Sequence, residues 1–184
     1  MRDANPKPED RFIAYLKSLD EKQQRGELAV LRRGLSQPPG SDVNMYRYVA
    51  RFVPGFARGR LREQVYYLVA ALFAYHPLST KKGNFGNHMR ASAGDANLEA
   101  VERRFTVLIN SHPEDLPDYL RHAVSLLKSK DIAINWEQLF KDLCHWDHPD
   151  RYVQRQWANS FWGYSPEVDE STKNEEQPET RPTV

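Results

Sequence analysis

LPDYLRHAVSLLKSKDIAINWEQLFKDLCHWDHPDRYVQRQWANSFWG, residues 116–163, decides the fold, because three amphipathic segments follow one another in it almost without a gap. In the first, Leu116, Leu120, Ala123, Val124 and Leu127 recur at helical spacing, while Arg121, His122, Ser125 and Lys128 fall on the other side. The second sets Trp136, Leu139, Phe140, Leu143 and Cys144 on one stripe against Glu137, Gln138, Lys141, Asp142 and His145. Asn135 and Gln138 have capping-box spacing, with Ile134 and Leu139 placed to staple over them. The third is expected to begin at Pro149, to bury Tyr152, Val153, Gln156, Trp157 and Phe161, and to stop at Gly163.

Outward from this stretch the pattern stays helical. Glu9–Leu19 offers Phe12, Ile13, Leu16 and Leu19 to a core, and Lys22–Arg33 offers Leu28 and Leu31 before Gly34 ends it. The Gln37–Asp42 run QPPGSD reads as a loop. Val43–Val53 reads as a helix burying Met45, Tyr46, Val49, Ala50 and Val53, with Arg47 and Arg51 outside. Gly59–Tyr75 is polar at its start and apolar on nearly every face from Val65, the pattern of a helix in the middle of a bundle. Residues 77–97 read as a long loop, basic at Lys81 and Lys82, with at most a helical turn around His88–Ala93. Leu98–Asn110 buries Val101, Phe105, Leu108 and Ile109. No stretch alternates as a strand would, so the expectation is an all-α fold of two packed helical bundles without a β-sheet. The split is expected near the 77–97 loop or near His112–Pro113, and the division taken is 9–111 and 112–163, between a flexible start at 1–8 and a disordered acidic tail at 164–184.

The formal charge of +1 over 184 residues hides an asymmetry. From Pro166 onward there are six acids against Lys173 and Arg181, so the body before it holds 24 basic and 19 acidic side chains. Between Arg25 and Arg62 stand eight arginines, no lysine, and only Glu27 and Asp42 as acids. Such a surface favours anionic partners without naming one, and arginine-rich protein contact is the other reading. A single cysteine excludes an internal disulfide and fits a reducing compartment. The charged start MRDANPKPEDR lacks the apolar run of a signal peptide, and Val65–Tyr75 is shorter than the roughly 20 residues that span a bilayer. A cytoplasmic protein with no membrane partner is the expectation.

Catalytic signatures are missing: there is no HExxH, P-loop, nucleophile elbow or dinucleotide fingerprint, and the glycines of 83–94 lack a GK[ST] ending. No enzyme activity and no cofactor are expected. Cys144, His145 and His148 are close enough in sequence to suggest zinc, yet Cys144 lies on the apolar stripe and no second pair completes four ligands, so no metal site is assigned. Trp136 and Trp157 fall on core stripes, whereas Trp146 and Trp162, at helix ends, are left open as stacking platforms.

The run LRHAVSLLKSKDIAINWEQLFKDLCHWDHPDRYVQRQWANSFW, Leu120–Trp162, resembles the C-terminal half of the small subunit of the type I-E CRISPR surveillance complex, Cascade (the CasB family). AVLRRGL (Ala29–Leu35), YLVAALFAYHP (Tyr67–Pro77), GNFG (Gly83–Gly86) and ERRFTVLIN (Glu102–Asn110) resemble further family blocks in the same order. The resemblance implies a non-catalytic, all-helical subunit. Its partners would be other Cascade subunits, guide RNA, a second copy of itself, and the target and displaced strands of target DNA. Its work would be to stabilise the R-loop through backbone contacts, which carry no sequence information. Carried over by position, the basic surface would comprise Arg32, Arg33, Arg58, Arg60, Lys81, Lys82, Arg103, Arg104, Arg121 and Arg151. Arg155 is added from its spacing with Arg151, Glu99 is placed to pair with Arg103, and Arg121 is open to a subunit contact instead. The acidic extension is no part of the resemblance, and its role stays open between solubility and weak competition for the basic face. The rival reading is a purely architectural helical adaptor that touches nucleic acid little.

Overall fold

The computed structural model describes residues 8–94 and 97–163. The expected acidic tail, residues 1–7 of the expected flexible start, and Asp95 and Ala96 lie outside them. Nine α-helices make up the described fold: α1 Pro8–Glu21, α2 Arg25–Arg33, α3 Tyr46–Val49, α4 Leu61–Tyr75, α5 Phe85–Ser92, α6 Leu98–Asn110, α7 Leu116–Ser129, α8 Trp136–Leu143 and α9 Tyr152–Trp162. Among the described residues there is no sheet, only a single parallel bridge between Ser79 and Ile134.

The composition of α4 places it at the centre. Every residue from Val65 to Ala74 is buried, so the helix needs neighbours all round, and α1, α2, α7 and α8 supply them. Aromatic rings lock this group: Phe12 of α1, Tyr66 of α4 and Phe140 of α8 lie pairwise at 4.9, 5.6 and 4.8 Å between centroids. The remaining helices, α5, α6, α7 and α9, pack on one another, and α7 also touches α4. The apolar stripe of α7 is buried at Leu116, Leu120, Ala123, Val124 and Leu127, which turns Arg121, His122, Ser125 and Lys128 away from the core.

Several local expectations need correction. Residues 77–97 are not one basic loop, because Phe85–Ser92 form a helix that packs against α9. A reciprocal cap makes its start: the Asn84 and Asn87 carboxamide oxygens each accept the other's backbone N–H, at 3.3 and 2.9 Å. The segment ahead of α5 is tied down as well. Thr80 and Ile134 N–H donate to the carbonyls of Ile134 and Leu78, both at 3.0 Å, and the Asn135 amide donates to Lys81 and Gly83 carbonyls, both at 3.0 Å.

Val43–Val53 is not a continuous helix but a 3₁₀ turn, the four-residue α3 and a second 3₁₀ turn. The tighter winding rotates the stripe: Met45, Val49 and Val53 stay buried, while Tyr46 and Ala50 come out. Helix α9 starts at Tyr152 rather than Pro149, because Arg151 sits in the left-handed region at φ 47° and its N–H closes a turn onto the His148 carbonyl at 2.8 Å. Accordingly Gln154 is buried and Gln156 exposed. The Asn135 cap of α8 is present, accepting from Gln138 N–H at 3.1 Å, but the Gln138 side chain turns to Asp142 instead of closing the box.

Candidate nucleic-acid interface

Three helices bring arginines around the outer face of α7. The last turn of α2 carries Arg32 and Arg33, α6 carries Arg103 and Arg104, and α7 itself supplies Arg121 and His122. A groove of about 740 Å³ between α2 and α7 is lined by Arg32, Arg33, Arg121, His122, Tyr75 and Ser125. A second, of about 640 Å³ between α6 and α7, is lined by Arg103, Arg104, Val107, Tyr119, His122 and Leu126. The two share His122 and Ser125, so they form one basic face that crosses α7.

Counter-charges on this face are few. Arg103 lies 3.8 Å from Glu99, but both side chains are largely exposed and such pairs contribute at most about 1 kcal/mol. Arg121 is 3.6 Å from Asp118 and also donates to the Leu35 carbonyl at 3.3 Å. Among the described residues Arg32, Arg33 and Arg104 make no ion pair. Exposed guanidinium groups spread along a groove meet what backbone recognition requires: positive charge and forked donors with no fixed sequence reader.

The other expected residues lie elsewhere. Arg58 and Arg60 border a recess at the start of α4 with Gly40, Tyr46 and Glu63. Lys82 borders a hollow beside α5 with His88 and Arg90, and Lys81 is exposed next to it. Arg151 donates one N–H to the Ile109 carbonyl at 2.7 Å, and both it and Arg155 are exposed at α9. Two residues on the basic face were not singled out in sequence, His122 and Lys128. Arg121, Ser125 and Lys128 stand at i, i+4 and i+7, a spacing that marks their shared stripe. Lys128 Nζ donates to the Tyr75 carbonyl at 2.7 Å and stands 3.9 Å from the Tyr75 ring centroid.

The histidines and tryptophans divide by burial. Cys144 lies half-buried on the apolar stripe, where desolvation pushes its thiol up to about 11 despite the neighbouring Arg62 guanidinium. His145 Nδ1 pairs with the Lys141 carbonyl at 2.9 Å, and His148 Nδ1 accepts from Asp150 N–H at 3.2 Å. No three His, Cys, Asp or Glu side chains among the described residues stand together as a ligand set. Trp146, open on sequence alone, is 2% exposed and packs on Trp157. Trp162 is 46% exposed, its ring edge-on to Phe105 and its Nε1 donating to Glu102 Oε1 at 2.9 Å.

The family model described as CRISPR-associated protein Cse2 matches residues 27–162. The chain belongs to the Cse2 family. A curated Cse2 from Thermus thermophilus is 33% identical over 174 residues, covering 92% of this chain and 98% of its own. A crystal structure of a Cse2-family protein from the same organism superposes with a TM-score of 0.74 at 31% identity, covering 86% of this chain and 100% of the other. The crystal structure of CasB from M. ruber gives a TM-score of 0.73 at 28% identity, over 86% and 94%. A chain in a structure described as a CRISPR RNA-guided surveillance complex gives 0.67 at 25%, over 82% and 92%. The Cse2 match spans α2 to α9 and so takes in all three helices that build the basic face. No described helix is long and apolar enough to cross a membrane.

Proposed function

We propose that this chain is the non-catalytic small subunit of a type I-E CRISPR surveillance complex, holding nucleic-acid backbone on its α2–α6–α7 face and so stabilising the guide RNA–target DNA R-loop and the displaced strand. The observation that carries the reading is the convergence of Arg32 and Arg33 of α2 with Arg103, Arg104 and Arg121 of the consecutive helices α6 and α7, distant from α2 in sequence, onto two grooves that meet. Membership of the Cse2 family, and a relative found in an RNA-guided surveillance complex, supply the setting. Sequence in such a complex is read by base pairing, so a subunit that offers charge alone can tip a near-balanced strand exchange.

Photo-crosslinking in the assembled complex tests this directly. A benzoylphenylalanine at Ser129, exposed at the end of α7, is expected to form adducts with guide RNA or target DNA, whereas one at exposed Asn159 on α9 is not. Adducts at Ser129 with protein only would instead make the subunit an architectural bridge between its neighbours.

A further inference from the structure

The chain leaves its described part against α6, the helix whose Arg103 and Arg104 rim the second groove. Helix α9 ends at Trp162 and Gly163, and it is fastened there to α6: Phe161 stacks on Phe105 at 4.4 Å, and Trp162 Nε1 donates to Glu102 Oε1 at 2.9 Å. Glu102 is immediately followed by Arg103 and Arg104, the α6 rim of the second groove. That groove is amphipathic. Its rim is basic, and its floor leaves Val107 47% and Tyr119 36% exposed, so an apolar surface remains uncovered between two helices.

The sequence beyond Gly163 complements this groove. Residues 164–184 carry six acids against two basic side chains, interspersed with Tyr164, Val168 and three prolines. Fully extended, that segment reaches up to roughly 70 Å, whereas α7 is only about 21 Å long, so reach does not limit it. Tethering supplies an effective concentration on the order of millimolar, enough for contacts too weak to hold a free peptide.

We propose that residues 164–184 dock on the α6–α7 groove of the same chain, their carboxylates against Arg103 and Arg104, so that a nucleic-acid backbone must displace them to bind. The competition half of this rests on the proposed nucleic-acid role of the face; the docking half does not. The segment acts as an internal polyanion: it screens the groove from weak non-specific ligands and yields to a guide–target duplex presented at high local concentration. Salt weakens docking, because the exposed charges are screened beyond about 10 Å at 0.1 M.

Two measurements on the full-length chain separate the halves. A nitroxide on S171C, in a C144A background so that it is the only thiol, is expected to broaden the amide signals of Val107, Tyr119 and Leu126 in low salt. The broadening should vanish in roughly 0.5 M salt, where screening is stronger still, and when Glu167, Asp169, Glu170, Glu175, Glu176 and Glu179 are replaced by Gln or Asn. The same six-fold neutral variant, unlabelled, is expected to bind a single-stranded oligonucleotide about three- to ten-fold more tightly than wild type at ~50 mM salt, the gain shrinking as salt rises. No broadening at the groove overturns docking, whatever the affinities do. Broadening with unchanged oligonucleotide affinity leaves docking standing and overturns the competition together with the proposed role of this face.

Discussion

Asp142 is a buried carboxylate whose two partners both come from side chains: Trp157 Nε1 donates at 2.6 Å and Gln138 Nε2 at 2.8 Å. Desolvation raises its pKa, and those two donors oppose the rise. D142A leaves the Trp157 indole N–H buried without an acceptor, and is expected to cost about 1–3 kcal/mol, read as a shift of the urea midpoint at unchanged slope. His88 gives a pH signature. Burial lowers its pKa to about 4, and its Nε2 accepts the Asn135 N–H at 3.1 Å, a bond that only the neutral ring can make. The unfolded ring titrates near its ordinary 6.5, so between about 4 and 6.5 the unfolded chain binds the extra proton and stability falls as pH falls through that window. Melting temperature against pH should drop there in wild type, and the drop should flatten in H88Q. Neither residue was legible as a core group. Within α8 alone Asp142 lies on the polar side, and only α9, 15 residues on, reveals the indole that fills that side.

Helix α5 shows how a glycine and two asparagines that read as a loop can instead build and pack a helix. Gly86 faces α9 so closely that a Cβ on it would lie 2.1 Å from the Trp157 carbonyl oxygen, and that neighbour is backbone, which cannot swing away. G86A is therefore expected to push α5 off α9 and to destabilise by about 1–3 kcal/mol, checked by denaturant unfolding and by loss of amide protection in 85–92. Gly83, at φ 71°, makes the turn into the cap. The long helices α1, α4, α6 and α7 were legible, because an apolar stripe sustained over several turns outweighs local signals, and ten successive buried residues in α4 leave no other reading, while eight-residue α8 was legible through its Asn135 cap. Other short elements were not. Eight residues hold too few periods to beat a run of Gly and Asn, and the reciprocal Asn84–Asn87 cap becomes visible only when both side chains are placed. The same shortness hid the 3₁₀ breaks around α3 and the left-handed Arg151 that delays α9.

Across the whole molecule, the helices convert a scattered set of cations into one face and several isolated sites. On sequence, ten of the candidates came from the family resemblance and Arg155 from its spacing, with Glu99 set to pair with Arg103 and Arg121 open to a subunit contact. The fold gathers Arg32, Arg33, Arg103, Arg104 and Arg121 along α7 and leaves Arg151 elsewhere, beside the Ile109 carbonyl. That Arg33 and Arg103 rim two grooves which both reach His122 and Ser125 of α7 is set by packing, and no local pattern carries it. The central claim is that this face works on nucleic-acid backbone, and the salt dependence of binding reports that most directly. In a surveillance complex reconstituted around this chain, R32A/R33A/R103A/R104A should assemble normally yet bind every target DNA more weakly. The slope of log K against log salt should be shallower by about 0.9 for each duplex phosphate that the variant no longer neutralises. A variant that assembles and keeps both the affinity and the slope of wild type would contradict the account.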